Sequence, residues 1–171
     1  NTLLAAQGQE LGRSLVERES LDTAREILHE LESSRCRLIL PTDYRVAPSP
    51  DRASENRVTT HLNPDDAIFD IGPTSIDVFR REIEKARTIV WNGPMGLFEV
   101  PPFDTGTREL AKAVAQSRAF SVIGGGDSVA AIQQAGLAGE IGHISTGGGA
   151  SLEFLEGRAL PGVAALEEVV G

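Results

Sequence analysis

Short apolar runs alternate along this chain with segments in which apolar residues recur at helical spacing. The apolar runs predict strands at 37–40, 44–47, 57–60, 88–91, 120–123 and 143–145. Between them, apolar residues spaced three and four apart predict amphipathic helices, as in the run from Leu21 to Leu31. Strands that alternate with helices are typical of parallel sheets. The pattern therefore predicts an α/β fold: an open, mostly parallel, doubly wound (Rossmann-like) sheet with helices on both faces.

Polar residues and glycines mark the ends of the predicted helices. The predicted N-terminal caps are Ser20, Thr74 with Asp77, and Asp104 with Thr107. The predicted closing glycines are Gly8, Gly136 and Gly157. The segment 41–66 is rich in Pro, Asp, Asn and Ser and interrupts the alternation. We expect this segment to be a surface excursion that contains only short strands.

Two runs of consecutive glycines, at 124–126 and 147–149, each follow an apolar run and precede helical residues. A strand that ends in glycines and enters a helix gathers backbone amides at the positive end of the helix dipole, where an anion binds well. Glycine also lets the ligand approach the main chain closely. Two such turns at one sheet edge would face a common crevice. The alternative is that the glycines only form tight turns between strand and helix.

The residues around the glycines exclude two common types of phosphate-binding site. A Walker A loop requires a Gly-Lys pair, and the chain contains none. The dinucleotide pattern G-x-G-x-x-G also fails, since Val129 and Leu152 occupy its last position. Asp127 directly follows the first run, where a carboxylate would repel phosphate unless a cation such as Mg²⁺ lay between them. Alternatively, Asp127 only caps the helix beside Ser128.

The second glycine run is followed by no acid and is flanked by hydroxyl residues. Bare amides of this kind suit a site where negative charge develops during a reaction and no metal is needed. The three histidines lack the spacing of a zinc site.

Composition limits the class of partner. The chain has 171 residues, 40% of them hydrophobic, which predicts one folded unit. The formal net charge of -9 argues against nucleic acid and anionic membranes as partners. Lys85 and Lys112 are the two lysines, and both are expected on solvated helix faces. The single cysteine, Cys36, cannot form an internal disulfide and is expected to be a small buried residue.

Targeting signals are absent from the sequence pattern. No apolar run approaches the length of a membrane span, and no signal region opens the chain. These features predict a cytoplasmic protein. The chain is helix-like from Asn1, without Met or a lead-in strand, which suggests a piece of a longer protein.

Four ordered motifs carry a family resemblance: "DIGPTSI" at 70–76, "VWNGPMGLFEVPPFDTGT" at 90–107, "VIGGGDSVAA" at 122–131 and "HISTGGGASLEFLEGRALPGVAAL" at 143–166. Together they closely resemble the C-terminal, nucleotide-binding domain of phosphoglycerate kinase, from about residue 1 to the end. The resemblance implies a glycolytic phosphotransferase that acts on a carboxyl group. It reversibly transfers a phosphoryl group from 1,3-bisphosphoglycerate to Mg·ADP, giving 3-phosphoglycerate and ATP.

The resemblance also implies roles for individual residues. Asp127 would hold Mg²⁺ on the nucleotide. The phosphates would be contacted by the amides of Gly125 and Gly126, the hydroxyl of Ser128 and the side chain of Asn92. The nucleoside would be contacted by Pro94 beside the sugar, Glu99 on the ribose hydroxyls and Gly72 in the adenine slot. The catalytic amides at the reacting end of the substrate would be those of Gly147, Gly148 and Gly149.

By the same resemblance, residues 1–171 are one partial C-terminal domain. The domain's first strands, its phosphate-binding lysines and the N-terminal domain that binds 3-phosphoglycerate have no counterpart here. We therefore expect the chain alone to be inactive, to bind adenine nucleotide weakly at best and to self-associate through an exposed sheet edge, whereas the complete enzyme is expected to be a monomer. The alternatives are a non-catalytic self-associating fragment and another nucleotide-binding α/β enzyme.

Overall fold

The computed structural model describes residues 1–145, 147–161 and 164. The chain divides into two compact units. The first comprises Asn1–Glu82 with Met95–Leu110, and the second comprises Ile83–Pro94 with Ala111–Gly171.

From residue 67 onward, strands and α-helices alternate along the chain as the sequence predicts, whereas residues 1–59 hold two α-helices followed by two strands. The α-helices are α1 (Thr2–Ala6), α2 (Leu21–Ser33), α3 (Pro73–Lys85), α4 (Thr105–Gln116), α5 (Gly126–Gln134) and α6 (Gly148–Leu155). The strands are β1 (Tyr44–Ala47), β2 (Arg57–Thr59), β3 (Ala67–Ile71), β4 (Thr88–Asn92), β5 (Phe120–Gly124) and β6 (His143–Ile144). Short 3₁₀ helices cover Arg18–Ser20, Pro50–Glu55 and Ala138–Glu140.

The first unit contains a small antiparallel sheet. Its strand order is β2-β1-β3, and Tyr44 of β1 lies opposite both Thr59 and Ile71. One face of β1 packs into a core that Tyr44 and Val46 form with Leu4 and Leu11. The short strands expected within 41–66 are therefore present. They form a sheet of their own, with antiparallel pairing.

Two strand predictions in this unit were wrong. Residues 37–40 are apolar but form no strand, because no described segment pairs with them and Leu38 stays partly exposed. An apolar run becomes a strand only when a neighbour completes its hydrogen-bond ladder. Conversely, β3 was not among the predicted strands.

The second unit contains a parallel sheet in the order β4-β5-β6. Trp91 of β4 lies in register with Ile123 of β5, and both side chains are buried. The next pair, Val90 and Val122, points to the opposite face because side chains alternate along a strand. Parallel strands joined by helices confirm the predicted α/β class.

The start of α3 is capped by a residue from outside the helix, so the predicted capping box of Thr74 and Asp77 was wrong. The Asp43 carboxylate accepts hydrogen bonds from the amides of Thr74 (2.9 Å) and Ser75 (2.7 Å) and from the Ser75 hydroxyl (2.5 Å). Asp77 instead pairs with Arg80 at the surface.

The Asp43 carboxylate is buried, with 3% of the residue exposed. Burial by itself raises the pKa of Asp43, but the hydrogen bonds from Ser75 and Thr74 outweigh it and hold the pKa below its ordinary value. The same carboxylate lies against Gly72, where any Cβ atom would overlap it. Gly72 therefore makes room for the cap of α3.

The start of α4 follows the same principle, and the predicted pair of Asp104 and Thr107 does not form a capping box. The amide of Gly106 donates to Oδ2 of Asp70 (2.7 Å), and the amide of Ile71 donates to Oδ1 (2.8 Å). Thr107 uses its hydroxyl to accept from the Met95 amide (3.0 Å). Asp70 is 1% exposed, so its carboxylate depends on these amides for its hydrogen bonds.

Other local predictions had mixed outcomes. Ser20 occupies the N-cap position of α2 but makes no side-chain capping bond there. The predicted closing glycines have positive φ angles of 85° at Gly8, 71° at Gly136 and 76° at Gly157. Cys36 is exposed, contrary to expectation, because the segment around it is not part of a buried strand. Across the described residues, no helix is both long enough and apolar enough to cross a membrane.

We expect Asp43→Ala to lower the free energy of unfolding by about 2–4 kcal/mol, because a cap is lost and buried donors are left without an acceptor. Asp77→Ala is the matched control and should cost less than about 0.5 kcal/mol, since its ion pair is exposed. Urea unfolding of both variants measures the difference. Equal losses would show that Asp43 does not cap α3.

Asp70 should make stability depend on pH. Burial raises the pKa of Asp70 to about 6, while the amides of Gly106 and Ile71 and the charge of Arg45 oppose that rise and Asp104 adds to it. The folded pKa thus exceeds the unfolded value of about 3.9. The stabilisation that this carboxyl gives is complete below about pH 4 and is lost as the pH rises through about 6.

The native chain and Asp70→Asn should therefore differ in their free energy of unfolding in a way that depends on pH. The native value minus the Asp70→Asn value should decrease from pH 4 to pH 6, by at most about 3 kcal/mol. Urea unfolding at several pH values measures this difference. Asp43→Asn is the control: the lowered pKa of Asp43 places its own titration below this window. Parallel stability curves for the native chain and Asp70→Asn would contradict the prediction.

Candidate functional site

The first glycine turn joins β5 to α5 in the second unit. β5 ends at Gly124, Gly125 is the N-cap with φ 86°, and α5 begins at Gly126 without a side-chain cap. A Cβ atom on Gly125 would overlap Oδ1 of Asn92, at the end of the neighbouring strand β4. Glycine is therefore required at 125 by both its backbone angle and its neighbour. The turn brings Asn92, Gly125 and Gly126 together, as the sequence predicts.

A buried hydroxyl ties the ends of β4 and β5 to each other. Ser128, in the first turn of α5, is fully buried, and its Oγ accepts a hydrogen bond of 2.6 Å from the amide of Gly93. The carbonyl of Gly93 in turn accepts from Nε1 of Trp91. Pro94 follows directly and is half-buried. Ser128 thus has a structural contact beside its predicted phosphate contact, which stays a prediction.

Asp127 is exposed at the first turn of α5 and makes no side-chain capping bond. Its carboxylate is therefore available to solvent at the positive end of the helix, next to the amides of the glycine turn. A hard oxygen donor in this position fits Mg²⁺. Across the described residues, no three His, Cys, Asp or Glu side chains gather as a metal site. Asp127 would thus be one ligand, and the nucleotide oxygens would supply others.

The second glycine turn joins β6 to α6. β6 ends at Ile144, Gly147 is the N-cap, and α6 begins at Gly148, again without a side-chain cap. The hydroxyls of Ser145 and Ser151 are hydrogen-bonded to each other at 2.7 Å, and Ser151 also donates to the Gly147 carbonyl at 3.0 Å. The sequence pattern pointed to hydroxyl residues on both sides of these glycines but not to the hydrogen bond between them.

The two helix starts lie at the same edge of the parallel sheet. β5 and β6 are adjacent and parallel, so both end at this edge. A Cβ atom on Gly124 would lie 3.8 Å from Cβ of Ser151, in the first turn of α6. The geometry predicted from the two glycine runs is therefore present in the second unit.

The glycines that begin these helices differ from those that packing requires. A Cβ atom on Gly126 or Gly149 would meet nothing within 4 Å among the described residues. Packing within the protein therefore does not explain the missing side chains. The open space lets an anion reach the backbone amides, but Gly139 has the same surroundings, so open space alone does not identify an anion site. A missing cap alone is a weak signal, since α2 lacks one too; the position at a parallel sheet edge adds to it.

Two of the three predicted nucleoside contacts lie in the first unit. Gly72 is buried against Asp43, and Glu99 is exposed on the segment 95–104 between Met95 and α4. Asn92, Pro94, Asp127 and the glycine turns belong to the second unit. Joint action of Glu99 and Asp127 on one ligand stays a prediction.

Comparison with protein families gives one match that covers most of the chain. The family model of phosphoglycerate kinase matches residues 1–158. Phosphoglycerate kinase of Thermomicrobium roseum is 51% identical over 170 residues, which are 98% of this chain and 43% of the relative. That of Pelotomaculum thermopropionicum is 51% identical over 168 residues, 97% of this chain and 43% of the relative.

Solved structures agree with this match. A structure of phosphoglycerate kinase from Coxiella burnetii superposes with a TM-score of 0.92 at 40% identity, covering 100% of this chain and 44% of that one. The enzyme from Pyrococcus horikoshii gives a TM-score of 0.83 at 40% identity, covering 98% of this chain and 42% of that one. The chain spans less than half the length of these relatives. Sequence and structure together show that it belongs to the phosphoglycerate kinase family.

Proposed function

We propose that this chain is a nucleotide-binding part of a phosphoglycerate kinase and corresponds to part of the C-terminal domain. The complete enzyme would transfer a phosphoryl group reversibly from 1,3-bisphosphoglycerate to Mg·ADP, giving 3-phosphoglycerate and ATP in cytoplasmic glycolysis. One observation carries the proposal: α5 and α6 begin with glycines, lack side-chain caps and start at the same sheet edge, and Asp127 is exposed on α5.

The starts of α5 and α6 would contact different phosphoryl groups. The amides of Gly125 and Gly126 would hold the phosphates of the nucleotide, with Asn92 beside them. Bound Mg²⁺, with Asp127 as a ligand, would neutralise part of the nucleotide's negative charge. Charge stabilisation and positioning are the main needs of phosphoryl transfer, so backbone amides suffice for much of the task.

The second glycine turn would act on the transferred group. Gly147, Gly148 and Gly149 would direct amides toward the phosphoryl oxygens while an oxygen of the ADP β-phosphate forms a bond to phosphorus. The bond between that phosphorus and the acyl oxygen breaks, and 3-phosphoglycerate leaves as a carboxylate. Fixed amide dipoles stabilise charge here without reorganising. The hydrogen bond between Ser145 and Ser151 would keep this turn in position.

Three residues would bind the nucleoside end of the nucleotide. Gly72 would line the adenine slot, where a side chain would intrude, and Glu99 would accept hydrogen bonds from the ribose hydroxyls. Pro94 would lie beside the sugar. Binding of 3-phosphoglycerate is assigned to the N-terminal domain of the complete enzyme, because the present residues correspond to less than half of the relatives' length.

A second candidate function is self-association without catalysis. The side chains that favour it belong to the second unit, where Val90, Phe154 and Leu155 are 47%, 68% and 59% exposed. They line an apolar cavity of about 370 Å³ beside α6. Apolar surface of this kind invites contact with another chain. Sedimentation across a range of concentrations distinguishes a self-associating chain from a monomer.

Replacing Asp127 should separate nucleotide binding from folding. In the complete enzyme, we expect Asp127→Ala to weaken Mg·ADP binding about tenfold or more, the effect of losing a charged ligand, while unfolding changes by less than about 0.5 kcal/mol. Calorimetric titration with and without Mg²⁺ measures the affinity, and urea unfolding measures stability. Asp51→Ala, which also removes an exposed acid at a helix start, is the control. Equal losses in binding and stability would mean that Asp127 acts on folding and not on the metal.

The 171-residue chain by itself should show no measurable phosphoryl transfer and only weak binding of Mg·ADP. The reason is that the proposed site for 3-phosphoglycerate and the family's phosphate-binding lysines have no counterpart in these residues. A coupled assay of ATP formation, together with nucleotide titration, measures both properties. Full turnover with micromolar nucleotide affinity would contradict this prediction.

A further inference from the structure

The segment 95–104, here called the Glu99 loop, is held to the end of β3 at several points. The amide of Leu97 donates to the Phe69 carbonyl (2.8 Å). The rings of Phe69 and Phe103 pack with centroids 4.9 Å apart, and Phe103 is fully buried. Both ends of the Glu99 loop thus contact β3, while Glu99 itself stays exposed between them.

Asp70 lies where these contacts meet. Its Oδ2 accepts from the amide of Gly106, at the start of α4, which directly follows the Glu99 loop. A Cβ atom added to Gly96 would lie 2.5 Å from Oδ1 of Asp70. The loop backbone therefore packs closely over the carboxylate. From α4, the Thr107 hydroxyl accepts the Met95 amide (3.0 Å) at the other end of the loop.

We propose that Asp70 is a positioning residue for nucleoside binding, because its carboxylate fixes β3, the Glu99 loop and the start of α4 in the arrangement that directs Glu99 toward the ribose hydroxyls. The inference rests on the proposed function, in which Glu99 binds the ribose. Asp70 does not touch the nucleotide. It acts through Gly96, Gly106 and the backbone that leads to Glu99.

The free energy needed to bury the Asp70 carboxylate indicates a role beyond packing. A buried aspartate is expensive, and here burial raises the pKa of Asp70 to about 6 despite two amide donors and the nearby charge of Arg45. The charge of Asp104 acts in the same direction as burial. Asparagine would avoid the charge, but it offers one acceptor oxygen where the structure uses two.

The matched control for Asp70→Asn lies at the other end of the same strand. Asp66, just before β3, is also buried, accepts the Asn63 amide (2.5 Å) and pairs with Arg57. Asp66→Asn thus perturbs a similar buried carboxylate without touching the Glu99 loop. Glu99→Gln is the reference for loss of the ribose contact.

Two measurements on the complete enzyme at pH 7.5 test the proposal. Amide hydrogen exchange, followed by NMR, should accelerate at Leu97 and Gly106 in Asp70→Asn but not in Asp66→Asn. NMR titration with millimolar Mg·ADP and its 2′,3′-dideoxy analogue measures ribose preference. We expect a native preference for ADP of about tenfold, the size of a hydrogen bond to a charged group. It should fall to about twofold or less in Glu99→Gln and in Asp70→Asn, and persist in Asp66→Asn.

The possible results distinguish failure of the positioning role of Asp70 from failure of the ribose role of Glu99. A preference that is lost in Glu99→Gln but retained in Asp70→Asn overturns the positioning role and leaves the proposed function standing. A complete native enzyme that does not distinguish the two nucleotides, or binds neither, overturns the ribose role of Glu99 and the inference with it. Equal loss of preference in Asp66→Asn and Asp70→Asn shows only general destabilisation and also overturns the inference.

Discussion

The backbone amides at the start of each helix need hydrogen-bond acceptors, and this need organises the structure. α3 and α4 obtain theirs from buried carboxylates, Asp43 and Asp70, which belong to distant parts of the sequence. α5 and α6 begin with glycines and receive no side-chain cap. At α3 and α4, the amides are bonded to carboxylates and so join elements of the fold. At α5 and α6, the amides remain available to a ligand.

The two carboxylates differ in the balance between burial and hydrogen bonding. At Asp43, hydrogen bonds from Ser75 and Thr74 outweigh burial, so the pKa lies below its ordinary value. At Asp70, burial outweighs two amides and a nearby arginine, so the pKa lies above it. This balance decides whether the ionised form is favoured. Asp43 contributes stability that is lost as pH falls, whereas the contribution of Asp70 is lost as pH rises.

Local patterns predicted much of the fold and the positions of the two glycine turns. Apolar runs located β1, β2, β4, β5 and β6, and the glycine runs located the starts of α5 and α6. The caps of α3 and α4 could not be found this way, because Asp43 and Asp70 are more than thirty residues from Ser75 and Gly106. Residues 37–40 failed as a strand for a related reason, since pairing depends on a neighbour and not on the run itself.

Glycine illustrates why one residue type supports two different inferences. At Gly72 and Gly96, an added Cβ would overlap a buried aspartate, so these glycines are explained by the protein's own packing. At Gly126 and Gly149, the added atom would meet open space among the described residues, and the protein's packing gives no reason for its absence. The sequence "DIGP" resembles a ligand motif, yet its glycine has a sufficient structural cause in Asp43. Gly139 also faces open space, so it is their position in the first turns of α5 and α6 that favours an anion at Gly126 and Gly149.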